Sequence, residues 1–476
     1  MNFVMAITKY FFPLKTTVCM LLLAKSMLKQ TEALINMEFP EGFQLGVATA
    51  SYQIEGAWNT NGKGVNIWDV FTHDNKSKIR DHSNGDVACD SYHKYKEDVQ
   101  LISDIDADFY RFSLSWSRIL PNGFSNVVNE EGLNYYKNLI DELLAKDIQP
   151  HVTIYHWDLP ENLEKLGGWT NELIIEYFVD YARIVFKELG PKVKLFYTIN
   201  EPAILCGEGY GSITKAPGKN LTEIGSYLCM HNVLKAHAKV YHMYDKEFRS
   251  EQKGLISIVV SCSAYFAKNE NDLEAEEIAY QFLCGWLSHP IYSKTGDYPE
   301  IMKNRIAENS RIQGYSKSKL PEFTPEWIEY IQGTSDFFAL NHYTSNLVEI
   351  VPKGPNDPWY GESGVKFSYD PKWPSSGSSW LKIVPEGFRK ILNAMLQAIY
   401  EDGCNIKGYT AWSLLDNFEW ENGYLEKFGL VQVDFASPNR TRTPKMSMEW
   451  YKNVIKQRKI TNFIPNTNKY NIVSAR

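Results

Sequence analysis

Short apolar runs recur along the chain, each closing on polar or aromatic residues: 43–50, 109–115, 150–156, 195–200, 255–261, 337–341 and 406–412. Runs of this length, bounded by breaks, read as buried strands. Between them the period changes to that of a helix. Leu133, Tyr136, Leu139, Ile140, Leu143 and Leu144 form one stripe over 129–144, and Ile174, Tyr177, Phe178, Tyr181, Ala182 and Val185 form another over 172–189. Strand and helix in alternation imply parallel βα units. An open doubly wound sheet would carry a Gly-rich nucleotide loop after its first strand, and this chain has none. The pattern therefore predicts an α/β barrel, with its chemistry at the C-terminal ends of the strands. It yields seven strands where such a barrel needs eight. The stretch 352–379, dense in Pro, Gly and Ser, reads as a long loop, and long ordered loops are commonly functional. No repeat or low-complexity linker divides the chain, so 38–460 is predicted as one barrel domain and 461–476 as a tail.

Composition narrows the function classes. The 476 residues are 44 % apolar and 14 % aromatic, which suits one large barrel and leaves rings to spare for a ligand platform. With 50 basic against 57 acidic residues and no basic stripe, nucleic acid is not an expected partner. The seven cysteines contain no C-x-x-C and the ten histidines no H-E-x-x-H, so no metal is expected. Cys206 and Cys229 flank a Gly-rich segment and could pair, or remain buried thiols. Lys9 and Lys15 precede the apolar run from Val18 to Ala24, a pattern that resembles a secretory signal within 1–37 and is too short for a membrane span. The sequons at Asn75, Asn220 and Asn439 agree with a secreted glycoprotein.

The segment Tyr197-Thr198-Ile199-Asn200-Glu201-Pro202 places a carboxylate at the end of an apolar run and stops it with proline. Alone, that fits acid/base work or a helix cap. The other strand ends repeat one chemistry: Tyr52-Gln53-Ile54-Glu55-Gly56, Tyr155-His156-Trp157-Asp158, Asn341-His342-Tyr343 and Asp416-Asn417-Phe418-Glu419-Trp420. Amides, imidazole, carboxylate and indole suit a polyhydroxylated ligand, since polar groups bind hydroxyls and a flat ring covers the apolar face of a sugar.

With these motifs the chain resembles glycoside hydrolase family 1, most of all its animal, insect-type β-glucosidase and myrosinase-like members. The resemblance runs from about Phe39 to Tyr451. It rests on Phe39-Pro40-Glu41-Gly42-Phe43, the run from Gly46 to Gly56, Tyr110-Arg111-Phe112-Ser113, His156-Trp157-Asp158-Leu159-Pro160, Gly168-Trp169, Thr198-Ile199-Asn200-Glu201-Pro202, Ala411-Trp412-Ser413, the run from Asp416 to Trp420 and Lys427-Phe428-Gly429-Leu430. Leu45 departs from a commoner aromatic. The resemblance implies a (β/α)8 TIM barrel that hydrolyses β-glycosides with retention and needs no cofactor. Its ligand would be a small β-glucoside or a short β-linked oligosaccharide. It implies Glu201 as acid/base, with Asn200 on the sugar's 2-hydroxyl. Gln53, His156, Glu419 and Trp420 would hold the outer hydroxyls, Trp412 would lie under the ring, and Phe428 would line the site. Arg111 and Tyr343 would touch the nucleophile and tune its charge.

The family's nucleophile is the Glu of an Ile/Val-Thr-Glu-Asn-Gly motif on the seventh strand, and that motif is absent from this sequence. The Glu421-Asn422-Gly423 string directly follows Phe418-Glu419-Trp420, in the eighth-strand loop, and matches in letters but not in position. Residues 385–393 resemble the helix before the seventh strand and 394–403 the helix after it. Here they are joined directly, with Phe388, Ile391, Leu392, Met395, Leu396 and Ile399 on one apolar face. The expectation is a barrel missing its seventh βα unit, about 30–45 residues, with its neighbouring strands left unpaired. The resemblance implies a retaining β-glucosidase, and this departure implies one that is impaired or inactive. The alternative is a non-hydrolytic glucoside binder or a non-functional truncated isoform.

Overall fold

The computed structural model describes residues 38–74, 78–221, 224–351, 361–390 and 406–460. The expected signal segment, the tail, Asn75 and the join at Asn393–Ala394 lie outside the described residues. In chain order the strands are β1 (Gln44–Ala48), β2 (Phe109–Ser113), β3 (Gln149–Tyr155), β4 (Leu195–Asn200), β5 (Leu255–Ser261), β6 (Ala264–Ala267), β7 (Ala339–Asn341), β8 (Ser345–Ile350), β9 (Val365–Ser368), β10 (Gly408–Trp412), β11 (Val431–Val433) and β12 (Arg442–Pro444).

Seven of them form one parallel sheet in the order β10-β1-β2-β3-β4-β5-β7. These are the seven runs read from the apolar pattern, with ends that coincide or differ by one or two residues. Neighbours in this sheet other than β10 and β1 follow one another in chain order, with helical segments between most of them, as in a (β/α)8 barrel. Among the described residues, β7 pairs only with β5 and β10 only with β1, so their outer edges carry no strand. Close packing of β1 on β2 needs Gly46, where a Cβ would lie 2.5 Å from the Phe109 carbonyl oxygen.

The connecting helices are amphipathic, and the stripes read from the sequence are the faces they bury. In Glu130–Leu144 the buried set includes Leu133, Tyr136, Leu139, Ile140 and Leu143. In Ile174–Leu189 it includes Phe178, Tyr181, Ala182 and Val185. Trp116 stacks on Tyr181 at 4.6 Å between ring centroids, tying the segment after β2 to this helix. A buried ring of that size contributes about 1.5–3 kcal/mol. Arg118 donates from Nε to Glu55 at 2.8 Å, and the Tyr136 hydroxyl donates to the other Glu55 oxygen at 2.7 Å. Glu55 therefore anchors the segment that carries Gln53.

The reading of 352–379 as loop needs correction. Val365–Ser368 is β9, antiparallel to β8, and β6 joins β8 in parallel to complete a three-stranded sheet outside the barrel. Val365 and Phe367 alternate with Lys366 and Ser368, a period-2 signal too short to stand out among glycines and prolines. Among the described residues there are two disulfides, Cys206–Cys229 and Cys262–Cys284, with Cα separations of 5.5 and 5.3 Å. Among the described residues no helix is long and apolar enough to cross a membrane. Asn220 and Asn439 are exposed.

Candidate active site

The C-terminal ends of the parallel strands converge on Glu201. It follows β4 directly and has φ 44°, a left-handed conformation that is strained for a residue with a side chain. Pro202, with its fixed φ, starts the next helical turn and sets this bend. Asn341, the last residue of β7, donates from Nδ2 to Glu201 Oε1 at 2.5 Å. Glu201 is buried, and burial pushes its carboxyl above the usual range, against the pull of the Asn341 bond and of Arg111 and Lys215. A buried carboxyl with a raised pKa is suited to deliver a proton to a leaving oxygen.

Asn200 links three strand ends. Its Oδ1 accepts from Arg111 Nη2 at 2.6 Å and from Asn341 Nδ2 at 3.3 Å. Its Nδ2 lies 3.1 Å from His156 Nε2. An amide nitrogen can only donate, so Nε2 accepts and the His156 proton sits on Nδ1. Burial, with Arg111 nearby, pushes the His156 pKa well below its ordinary value and keeps the ring neutral. The His156 ring lies nearly parallel to Trp412 and Trp420, at 6.1 and 5.9 Å. Trp157 donates to the Asn200 carbonyl oxygen at 2.7 Å and packs 4.7 Å from Trp420. Trp157 and Trp420 also hold positive φ, at 78° and 50°, so backbone strain gathers around this cleft.

Gln53, just after β1, donates from Nε2 to Asn417 Oδ1 at 2.9 Å, to the Phe418 carbonyl at 2.9 Å and to Glu419 Oε2 at 3.2 Å. Its Oε1 is buried and, among the described residues, has no partner. Burial raises the Glu419 carboxyl to about 8, opposed by Lys215 and reinforced by Glu421 and Glu426. Tyr343 lies 6.3 Å from Phe428, and Trp380 sits against both, at 5.7 and 6.2 Å. Burial raises the Tyr343 hydroxyl, and the nearby charges of Glu201 and Glu419 raise it further.

All ten residues singled out in the sequence, Gln53, Arg111, His156, Asn200, Glu201, Tyr343, Trp412, Glu419, Trp420 and Phe428, thus lie at one end of the sheet. The Glu421-Asn422-Gly423 string is a tight turn. Glu419 N donates to the Gly423 carbonyl at 2.7 Å, and Gly423 has φ 59°, which glycine adopts without strain. Glu421 pairs with Lys215 at 2.5 Å. Asn341, Lys215 and Trp380 were not assigned roles from the sequence. Asn341 stood in a quoted strand-end triplet that could have flagged it. Lys215 and Trp380 sit in loops whose side-chain partners carry no periodic signal.

The Glycosyl hydrolase family 1 model matches the chain in two stretches, residues 35–398 and 390–460. Myrosinase 1 of Brevicoryne brassicae is 45 % identical, over 88 % of this chain and 99 % of its own length. The human cytosolic β-glucosidase is 38 % identical, over 88 % and 98 %. Among solved structures, aphid myrosinase superposes with a TM-score of 0.84 over 89 % of this chain and 100 % of its own. A β-glucosidase of the fungus Humicola insolens in complex with glucose gives 0.80 at 34 % identity, over 88 % and 99 %.

Proposed function

The chain belongs to glycosyl hydrolase family 1, and from that premise we propose that its cleft is the β-D-glucoside site of a retaining β-glycosidase that lacks its nucleophile. The observation that carries the substrate class is the cluster around Gln53. Among the described residues its buried Oε1 has no partner, beside Glu419 and with His156 and the Trp412 and Trp420 rings in the same cleft. An orphaned buried acceptor calls for a ligand hydroxyl. The glucose-bound relative supports the same class.

Four observations support the second half of the proposal. The sequence holds no Thr-Glu-Asn-Gly. The family match breaks between 390 and 398. The alignment with the aphid enzyme is 463 positions long, whereas 88 % of this chain is roughly 419 residues, so about 44 positions have no counterpart here. Among the described residues, the outer edges of β7 and β10 are unpaired.

Retention requires two carboxyls about 5–5.5 Å apart, one to protonate the leaving oxygen and one to form the glycosyl-enzyme. Glu201 can do the first. Without the second there is no covalent intermediate to hydrolyse. The proposed activity is thus glucoside binding with little or no turnover. We further propose that residues 1–37 direct secretion and that the exposed Asn220 and Asn439 carry glycans.

Titration calorimetry with glucose and an aryl β-glucoside tests the binding half. Saturable binding is expected, weakened about 2- to 10-fold by Glu419→Ala, since its carboxyl is held mostly protonated at neutral pH and a neutral hydrogen bond contributes about 0.5–1.5 kcal/mol. No binding by the unmodified chain would contradict the proposal.

A further inference from the structure

We propose that the Cys262–Cys284 bridge is a site of thiol–disulfide exchange with a small dithiol, opened in preference to Cys206–Cys229, and that its opening loosens the strand end that holds Glu201. Neither half requires that the chain turn over a glucoside.

The two bridges differ in access. Cys206 and Cys229 are both 0 % exposed, whereas Cys262 and Cys284 are both half-buried. Exchange needs a thiolate to reach a bridge sulfur, so access decides which bridge opens. Among the described residues the free cysteine is Cys89, and it does not supply that thiolate. It is buried against the Asp416 carbonyl, and burial pushes its thiol well above the ordinary range. A thiol in such surroundings is inert, so the reductant comes from outside. One thiolate of the dithiol bonds to a bridge sulfur and breaks the S–S bond. The other cysteine leaves as a thiolate and takes up a proton. The second thiol of the reductant then closes on the mixed disulfide and releases the second cysteine. The bridge gains two electrons and two protons, and the dithiol leaves as a cyclic disulfide.

The place of the bridge in the fold connects it to the cleft. Cys262 and Ser263 form a joint between two paired ladders. Before the joint, β5 pairs with β7 as far as Ser261 and Asn341; after it, β6 pairs with β8 from Ala264 and Ser345. At the joint the Cys262 amide donates to the Asn341 carbonyl at 3.1 Å, and the Cys262 carbonyl accepts from His342 Nδ1 at 3.0 Å. Asn341 in turn donates to Glu201. With three residues, and β5 as its neighbour among the described residues, β7 has few other bonds to hold it. Cys284 lies between the helices Leu273–Leu283 and Gly285–Tyr292 and fixes the joint from outside. The first of these helices also grips the outer sheet. Glu276 accepts from the Ala267 amide, and the Tyr280 hydroxyl accepts from the Tyr265 amide at 3.3 Å. Reduction therefore leaves the outer sheet docked and frees the joint and the Asn341 end of β7, a local opening rather than a global one.

The whole chain, bridges intact, is treated with dithiothreitol at pH 8, and aliquots are alkylated with iodoacetamide for peptide mapping by mass spectrometry. Cys262 and Cys284 should be labelled together, at least about tenfold faster than Cys206 and Cys229. Equal rates for the four cysteines, or no labelling of Cys262 and Cys284, would overturn the site. Hydrogen exchange of the partly reduced, alkylated chain reads the coupling. Amides over 259–263 and 339–343 should exchange at least about tenfold faster than in the oxidised chain, with β3 unchanged. Cys262→Ser with Cys284→Ser should give the same exchange pattern without reductant, and the reduced unmodified chain carries the measurement if that variant does not fold. Unchanged exchange over 339–343, or acceleration throughout the chain, would overturn the coupling to Glu201.

Discussion

Asp158 shows how environment decides what a carboxylate does. It follows His156 and Trp157, is fully buried, accepts from the Ser51 hydroxyl at 3.0 Å, and among the described residues has one oxygen without a partner. Burial raises its carboxyl to about 8. The folded chain therefore keeps a proton that the unfolded chain releases near pH 4. This contribution to stability is fully present below that pH and is lost as pH rises through about 8. Asp158→Asn removes the loss. Thermal melts at pH 5 and pH 8 should show the variant gaining on the unmodified chain as pH rises. A difference independent of pH would contradict the assignment. At this scale much was legible: ten residues named from strand-end chemistry and from the family resemblance fall in one cleft. Their roles toward the sugar were supplied by resemblance, since a residue type does not state which hydroxyl it meets. Asn341 and Lys215 escaped because Asn341 bonds Glu201 and Lys215 pairs with Glu421, contacts between segments far apart in the chain.

At the scale of elements, the apolar pattern marked the barrel strands because nearly every residue of β2, β3 and β4 is buried, which leaves continuous apolar runs. The strands β6, β8 and β9 escaped because a small sheet outside the barrel is only partly buried, and its alternation lasts four to six residues. The Cys206–Cys229 pair was one of two open readings, and Cys262–Cys284 was not foreseen. The second bridge ties the segment after β5 to the helix at Leu273–Leu283. The Cys262 amide donates to the Asn341 carbonyl, and the Cys262 carbonyl accepts from His342 Nδ1. Its cysteines are separated by 22 positions. Closing a loop of that size stabilises by about 3 kcal/mol. Cys262→Ser with Cys284→Ser should therefore lower the unfolding free energy by about 2–4 kcal/mol in urea. An unchanged midpoint would show that the bridge is not formed in solution.

For the whole molecule, the family, the barrel architecture and the seven-strand count were all legible in the chain. A parallel sheet flanked by helices follows from alternating periods, and its edges at β7 and β10 follow from which strands have neighbours. The proposed loss of one βα unit leaves the glucoside cleft assembled while removing one of the two carboxyls that retention needs. That separates binding from hydrolysis in one molecule. The direct measurement is hydrolysis of an aryl β-D-glucoside by the purified chain and by Glu201→Gln, under conditions where calorimetry shows the glucoside bound. A chain without the nucleophile gives the same negligible rate for both proteins. Ordinary turnover by the unmodified chain, abolished by Glu201→Gln, would contradict the proposal and require a nucleophilic carboxylate about 5–5.5 Å from Glu201.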